Sequence, residues 1–382
     1  MGYTLLLAEG CNLQCKYCYE GEMKTANFLS DEIAEKALEY ICNISSENEC
    51  IDLMLLGGEP LLNKPIFFKV LDLIENKYKN RKFNIEMTTN GTLLDQSVLD
   101  KVFETGIDLS ISLDGKKFTN ELNRIAKSST EYYEKVIRQV KRLVAENRKF
   151  NIRMTITPNN VYYLMENVIY FYEMGINRIY IGLDEFIDWS DENLAVLNSQ
   201  MTELDEFYLN NIIQHKNKVL NLYDFKMSIF MAKRDIMYCS AGTESHFVID
   251  CKGNIYPCNY VVGDNKWIIG DVSFGIDRNK FVDMIKKHLI HNKGMCHKCN
   301  MLCSCNGHRC GFKNYSLTGY LDKISANTCN LEKILLKHNQ YVFSTMFKRK
   351  EPRFMEMYNY CKKHKIEFTD FIYRLEEEEK SE

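Results

Sequence analysis

Two periods of hydrophobicity alternate along the first half of the chain. Short apolar runs at residues 3–8, 51–56, 83–89, 107–113, 151–157 and 178–183 read as strands. Between them, residues 31–44, 64–78, 95–104, 130–147 and 161–174 place apolar side chains every three or four positions, the stripe of a helix with one face on a core. Ser30 is placed to cap the first helix, with Asp31 and Glu32 in the turn where the helix dipole favours acids. Strands alternating with amphipathic helices define an α/β protein with a parallel sheet, either open and doubly wound or part of a β/α barrel.

The second half is patterned differently. Residues 201–222 read as one long helix carrying Leu204, Phe207, Tyr208, Ile212 and Val219 on one face. Residues 247–250 and 255–257 read as the arms of a hairpin around Lys252-Gly253-Asn254. The expected division is a core over 1–185, a helical bridge over 186–237, a small cysteine-rich domain over 238–330, and a C-terminal helical segment over 331–382. The acidic run 376–379 belongs to a solvated tail.

Composition narrows the function classes. A chain of 382 residues with 45% hydrophobic side chains can bury a full core, and a net charge of -3 offers no basic footprint for nucleic acid or a membrane surface. No run reaches the roughly 18 apolar residues of a membrane span, and the first residues lack the basic start of a signal peptide, so a cytoplasmic protein is expected. Fifteen cysteines in such a protein point to metal rather than to disulfides. Three cluster near the start and nine lie between Cys239 and Cys329. Cys42, Cys50 and Cys361 lack ligand spacing and read as buried small hydrophobes.

Cys11, Cys15 and Cys18 follow the first strand directly. Three thiolates hold three irons of a [4Fe-4S] cube and leave the fourth iron open to a ligand that is not protein. Gly57-Gly58-Glu59-Pro60, Thr88-Thr89-Asn90-Gly91 and Ser112-Leu113-Asp114-Gly115 also fall at or just after strand ends. In a barrel, such positions converge on one mouth, which implies a single shared site.

The spacing CxxxCxxC with an aromatic before the last cysteine, followed by GGEP, resembles the radical S-adenosylmethionine (radical SAM) enzymes. The resemblance implies a partial (β/α)6 barrel, a [4Fe-4S] cluster on Cys11, Cys15 and Cys18, and S-adenosylmethionine chelated to the open iron. Reduction then releases a 5'-deoxyadenosyl radical that abstracts a substrate hydrogen. By the same resemblance, Gly57, Gly58, Glu59 and Pro60 receive the methionine ammonium, and Ser112 and Asp114 meet the ribose or the polar end of the ligand. Asn90 faces the same mouth, Arg153 reaches the carboxylate, and Tyr17 lies beside adenine or shields the cluster.

The later cysteines resemble the SPASM domain carried by many radical SAM enzymes that modify peptides and proteins. The match runs Cys239-x13-Gly253-x4-Cys258, Cys296-x2-Cys299-x5-Cys305, Cys310 and Cys329. It implies a small α+β domain with a β-hairpin and two auxiliary [4Fe-4S] clusters, three clusters in all. Cys239, Cys258 and Cys310 would serve the first, with Cys251 as fourth ligand and Cys303 competing for that place. Cys296, Cys299, Cys305 and Cys329 would serve the second. The chain departs from the family by a fourth residue between Cys305 and Cys310 and by the added Cys251 and Cys303.

One position bears on the substrate. Sulfatase-maturing relatives carry an Asp after the cysteine equivalent to Cys258, whereas here Asn259 offers an amide that cannot take a proton. The expectation is therefore a maturase that installs a crosslink, a cysteine thioether first, in a small ribosomally made precursor peptide. Carbon–carbon crosslinking is the nearest rival, and epimerisation would use Cys303 as hydrogen donor. Sulfatase maturation would need Asp264 or Asp271 in place of the missing acid. An iron–sulfur electron carrier would have no use for GGEP, and a scaffold would not leave one of three clusters with only three local cysteines. A flavodoxin or ferredoxin is the implied reductant. A leader-binding domain is expected to be absent before the first strand, with 331–382 either contacting a leader or packing.

Overall fold

Each of the six apolar runs forms a strand in the computed structural model, which describes residues 2–19, 27–127, 131–233, 241, 245–289 and 295–381. The chain runs β1 (Gly2–Ala8), α1 (Asp31–Ile44), β2 (Cys50–Gly57), α2 (Lys64–Asn76), β3 (Lys82–Thr89), α3 (Gln96–Glu104) and β4 (Asp108–Ser112). It continues through α4 (Lys117–Glu121), α5 (Tyr132–Ala145), β5 (Asn151–Ile156), α6 (Leu164–Glu173) and β6 (Arg178–Leu183). Then come α7 (Asp191–Phe207), β7 (Val219–Leu220), α8 (Asn221–Met231), β8 (His246–Ile249), β9 (Asn254–Tyr256), β10 (Gly270–Asp271) and β11 (Gly275–Ile276). The last helices are α9 (Arg278–Lys287), α10 (Gly311–Thr318), α11 (Ala326–Lys348), α12 (Pro352–Lys363) and α13 (Asp370–Ser381). Among the described residues, no helix is long and apolar enough to cross a membrane.

Two compact units are discontinuous in sequence. The first gathers Met1–Leu113, Asn120–Asn151 and Cys239–Leu289. Its strands lie in the order β11-β10-β9-β8-β1-β2-β3-β4. β1 to β4 are parallel, with Leu53 of β2 in register between Tyr3 and Ile85. Six consecutive residues of β1 are buried, as both faces of a covered parallel strand require. β8 joins the free side of β1 in parallel, and from there the sheet turns antiparallel through β9, β10 and β11. Caps fix two of the helices: Ser30 Oγ accepts from Ile33 N–H ahead of α1, and Asp95 Oδ1 accepts from Val98 N–H ahead of α3.

The second unit gathers Asp114–Thr119, Ile152–Tyr238 and Ile290–Glu382. Within it β5, β6 and β7 are parallel. The expected helix over 201–222 is broken here. After Phe207 the chain passes through a π-turn, Tyr208–Ile212, and leaves the helix at the polar run His215-Lys216-Asn217-Lys218. The Arg353 guanidinium donates to the carbonyls of His215 at 2.6 Å and Lys218 at 2.9 Å, and Val219 N–H donates to Asn177 at 2.7 Å. A tertiary cation and a strand partner thus override a helical stripe. Periodicity also gave no sign of β10 and β11, two residues each. At the other end, Ser325 caps α11 by accepting from Thr328 N–H at 3.0 Å, which places Cys329 in the first turn of that helix.

Helices α7, α8 and α11 are tied together by a buried polar cluster. Asp205 receives a 2.6 Å hydrogen bond from the Tyr223 hydroxyl and lies 2.6 Å from His338 Nδ1, while His338 Nε2 sits 3.3 Å from Asn198 Oδ1. Asp205→Ala strands two buried polar groups, so it is expected to destabilise the chain by about 3 kcal/mol, read as a lowered urea midpoint.

Candidate functional site

β1 delivers the chain into a loop that carries Cys11, Cys15 and Cys18, and a strip of backbone holds that loop in place. Gln14 N–H donates to Ile125 at 2.7 Å, Lys16 N–H to Asn123 at 2.9 Å, and Lys127 N–H to Asn12 at 3.3 Å. The Lys127 ammonium reaches the Cys11 carbonyl at 3.0 Å. Residues 123–127 carry no hydrophobic period, and sequence reasoning passed over them. Arg124 in the same strip is buried and lies over the Tyr17 ring, 5.3 Å from its centroid. That contact holds a half-buried aromatic beside Cys18 through a cation–π interaction.

All three thiols are half-buried and free of disulfides. Cys11 Sγ accepts from Leu13 N–H at 3.3 Å and from Asn90 Nδ2 at 3.7 Å. Two N–H donors on one sulfur suit an anionic thiolate, the form that ligates metal. Among the described residues no three His, Cys, Asp or Glu side chains converge as a finished metal cage. The triad fits iron by donor type, spacing and the clamped loop beneath it.

The Gly57-Gly58-Glu59-Pro60 turn follows β2 and is bound to the same loop. Gly58 N–H donates to Ala8 and Glu59 N–H to Gly10, both at 2.9 Å. A Cβ on Gly58 would stand 2.9 Å from the Glu9 carbonyl oxygen and closer still to that of Gly10, so only glycine permits this approach. Glu59 is buried and its carboxylate is occupied. Oε1 accepts from the Thr89 hydroxyl at 2.7 Å and Leu61 N–H at 3.1 Å, and Oε2 accepts from Asn90 N–H at 2.7 Å. Pro60, also buried, opens the short 3-10 turn Pro60–Asn63, whose Asn63 amide donates to the carbonyls of Leu7 and Leu29.

Asn90 joins the pieces. Its Nδ2 also donates to Asn12 Oδ1 at 2.8 Å, while its Oδ1 accepts from Thr92 N–H at 3.0 Å. The turn after β2, the turn after β3 and the cysteine loop therefore form one hydrogen-bonded body. Ser112 closes β4, half-buried. Asp114 and Arg153 belong to the second unit. Asp114 is fully buried and accepts from Thr155 N–H at 2.9 Å, whereas Arg153 is exposed on β5, in register with Tyr180.

The later cysteines divide between the two units. Cys239 lies outside the described residues. In the first unit the Cys251 thiol is buried and donates to the Leu6 carbonyl at 3.4 Å; burial, with the charges of Glu9 and Asp250, pushes it far above the ordinary thiol range. Cys258 is half-buried and precedes the turn Asn259–Val261. In the second unit, burial raises the Cys296 thiol, and the neighbouring Cys329 and Cys299 raise it further, so these three sulfurs share one neighbourhood. Burial lifts Cys305 to about 11, with Glu332 adding to the effect. Glu332 in turn accepts from Asn306 N–H at 3.1 Å and pairs with buried Lys226 at 3.0 Å. Cys303 is exposed, and Cys310 stands half-buried at the head of α10.

A cavity of about 540 Å³ opens beside the cysteine loop within the first unit, lined by Glu9, Tyr19, Asn259, Tyr260 and Asp264 among others. Asp271 is not among its walls; its Oδ1 accepts from Ser273 N–H at 2.7 Å.

Thiols and a glycine turn welded together at the ends of parallel strands define an α/β enzyme built around an iron–sulfur centre. Residues 5–161 match the Radical SAM superfamily, so this part of the chain is a radical SAM domain, and the chain has the α/β fold of solved radical SAM structures. It is 26% identical over 322 residues to the cysteine-type anaerobic sulfatase-maturating enzyme of Clostridium perfringens strain 13, covering 78% of this chain and 86% of that one. Its fold matches native anSMEcpe with bound AdoMet and Cp18Cys peptide at a TM-score of 0.72 and 22% identity, over 94% of this chain and 100% of that one. Streptococcus suis SuiB bound to precursor peptide SuiA matches at 0.58 and 17% identity, over 86% and 75%.

Proposed function

We propose that the chain is a maturase of the SPASM type that uses S-adenosylmethionine to modify a residue within a peptide. The observation that carries this reading is the single hydrogen-bonded body made by the cysteine loop, the Gly-Gly-Glu-Pro turn and Asn90, with a residue-sized cavity beside it. Similarity to a sulfatase-maturating enzyme and to a fold solved with its precursor peptide supports a peptide substrate.

Cys11, Cys15 and Cys18 would hold the [4Fe-4S] cluster. Bound there, it supplies the electron that cleaves S-adenosylmethionine into a hydrogen-abstracting radical. Glu59 acts by ordering: with its oxygens taken by Thr89, Leu61 and Asn90, it fixes the turn that would receive the methionine ammonium. Tyr17, held by Arg124, covers one side of the site, and Ser112 meets the ribose. Asp114 holds the β5 backbone by accepting from Thr155 N–H at 2.9 Å. Cys296, Cys299, Cys305 and Cys329 would hold one auxiliary cluster. Cys239, Cys251 and Cys258, all of the first unit, would contribute to the other, Cys251 once its thiol is deprotonated.

Crosslinking, a thioether first, remains the reading of choice because Asn259 stands where a base would be. Sulfatase-type oxidation is the second reading, since Asp264 places a carboxylate in the cavity shared with Asn259. After anaerobic reconstitution the chain is expected to hold about twelve irons, as three cubes require; a value near four removes the auxiliary clusters. Mass spectrometry of a reacted cysteine peptide separates the readings. Loss of two hydrogens marks a crosslink, and replacement of the thiol by an aldehyde marks sulfatase-type maturation. An unaltered peptide alongside active cleavage of S-adenosylmethionine overturns both.

A further inference from the structure

Two charged side chains of the second unit stand where its core calls for hydrophobes. Lys226 lies in the buried stripe of α8 with Leu222 and Phe230, and Glu332 in that of α11 with Leu331 and Leu335. The two side chains are 8% and 9% exposed, and Lys226 Nζ meets Glu332 Oε2 at 3.0 Å and Oε1 at 3.4 Å. A packed pair of hydrophobes would be as stable or more so, because desolvating two charges uses up most of what their attraction returns. Stability gives no reason for the pair.

A further contact supplies one. Glu332 Oε2 also accepts from Asn306 N–H at 3.1 Å, so a carboxylate inside the core holds the backbone directly after Cys305. Glu332 stands one helical turn beyond Cys329 on α11, at i and i+3 on one face. The turn after Cys305 meets that helix a second time: a Cβ on Gly307 would stand 2.8 Å from Thr328 Cγ2. The Gly307 carbonyl accepts from the buried Asn314 amide at 3.0 Å, and the backbone N–H groups of Gly307 and His308 bond the Cys305 sulfur. Two N–H donors on one sulfur favour a thiolate and tune the cube it holds. The charge of Glu332 opposes an anionic sulfur at Cys305 and that of Lys226 favours it, so the pair grips the turn while keeping the local charge near balance.

We propose that Lys226 and Glu332 are positioning residues of the auxiliary cluster on Cys296, Cys299, Cys305 and Cys329. Glu332 locks the Cys305 turn to the helix that carries Cys329, and Lys226 cancels the charge that this carboxylate would otherwise set against the cluster. The proposal rests on the reading that these four thiols hold a cube.

Paired variants separate this role from packing. Lys226→Met/Glu332→Gln keeps an acceptor for Asn306 N–H without either charge, whereas Lys226→Met/Glu332→Leu removes the acceptor as well. Neither strands a buried ion, and a cavity of about 200 Å³ beside the pair gives the new side chains room. Both iron-free chains are expected to keep the wild-type urea midpoint or exceed it. After anaerobic reconstitution the first should hold about twelve irons and the second about eight, one cube fewer. Glu332→Gln alone leaves the Lys226 charge unbalanced. It should favour the reduced form of one cluster about 10-fold in a redox titration followed by electron paramagnetic resonance, a rise of about 59 mV for one electron. Equal iron in the two paired variants, or no midpoint moved by Glu332→Gln, overturns the proposal while leaving the cluster reading intact. A wild-type chain that holds only about four irons removes the cluster reading and the proposal with it.

Discussion

Cys15→Ala is expected to remove about four irons per chain and to bring 5'-deoxyadenosine formation from S-adenosylmethionine to background. The loop holding Cys15 is anchored through backbone groups, Gln14 to Ile125 and Lys16 to Asn123, neither of which depends on the thiol. The variant should therefore keep its fold and its far-ultraviolet circular dichroism. That separates a ligand from a structural thiol: a cube held by two cysteines loses its iron, whereas loss of a packing group costs only stability. Iron analysis and chromatography of the nucleoside after dithionite reduction read the result. Undiminished cleavage would place the reactive cluster elsewhere in the chain.

Gly58→Ala is expected to be nearly as damaging, for a steric reason. Its Cβ would enter the space of the Gly10 carbonyl oxygen and stand 2.9 Å from that of Glu9. Those atoms belong to the backbone between β1 and Cys11 and cannot turn aside as a side chain would. Relief has to come from separating the turn from the loop, which breaks the 2.9 Å bonds Gly58 to Ala8 and Glu59 to Gly10. A cost of about 3 kcal/mol follows from the overpacking and the lost bonds. The functional loss should exceed the stability loss, because the turn and the thiols are displaced together. Equilibrium binding of S-adenosylmethionine to the reconstituted variant should weaken at least about 10-fold even where the chain remains folded, the equivalent of one lost net hydrogen bond. Wild-type binding would show that the turn is not part of the ligand site.

The strands were legible because each is a dense apolar run bounded by turn residues, a signal that needs no knowledge of partners. The thiol triad and the glycine turn were legible as spacings. What stayed hidden is what depends on partners distant in sequence. Each oxygen of Glu59 accepts from a residue at the end of β3, Thr89 or Asn90, that meets it only through folding. The strip at 123–127 bonds through its backbone, which carries no residue signature. The helix expected over 201–222 failed because Arg353, far along the chain, captures the carbonyls of His215 and Lys218. The hairpin was found from its turn, yet the reason the turn holds is Asp250, which accepts from Lys252 and Asn254. The cavity beside the cysteine loop is likewise a property of the assembled walls, invisible in any single segment.

The seating of β8 against β1 has a consequence for how the protein is made. β1 leaves the ribosome well ahead of β8, one of its two neighbours, which begins only at His246. Until then, a strand buried along six successive residues in the finished protein offers a bare hydrogen-bonding edge, directly ahead of three unligated thiols. Nascent chains in this interval are open to pairing with one another and to oxidation. Metal loading before β8 closes the sheet gives those thiols a partner early, so cluster delivery during synthesis should raise the yield of folded protein more than the same iron supplied afterwards.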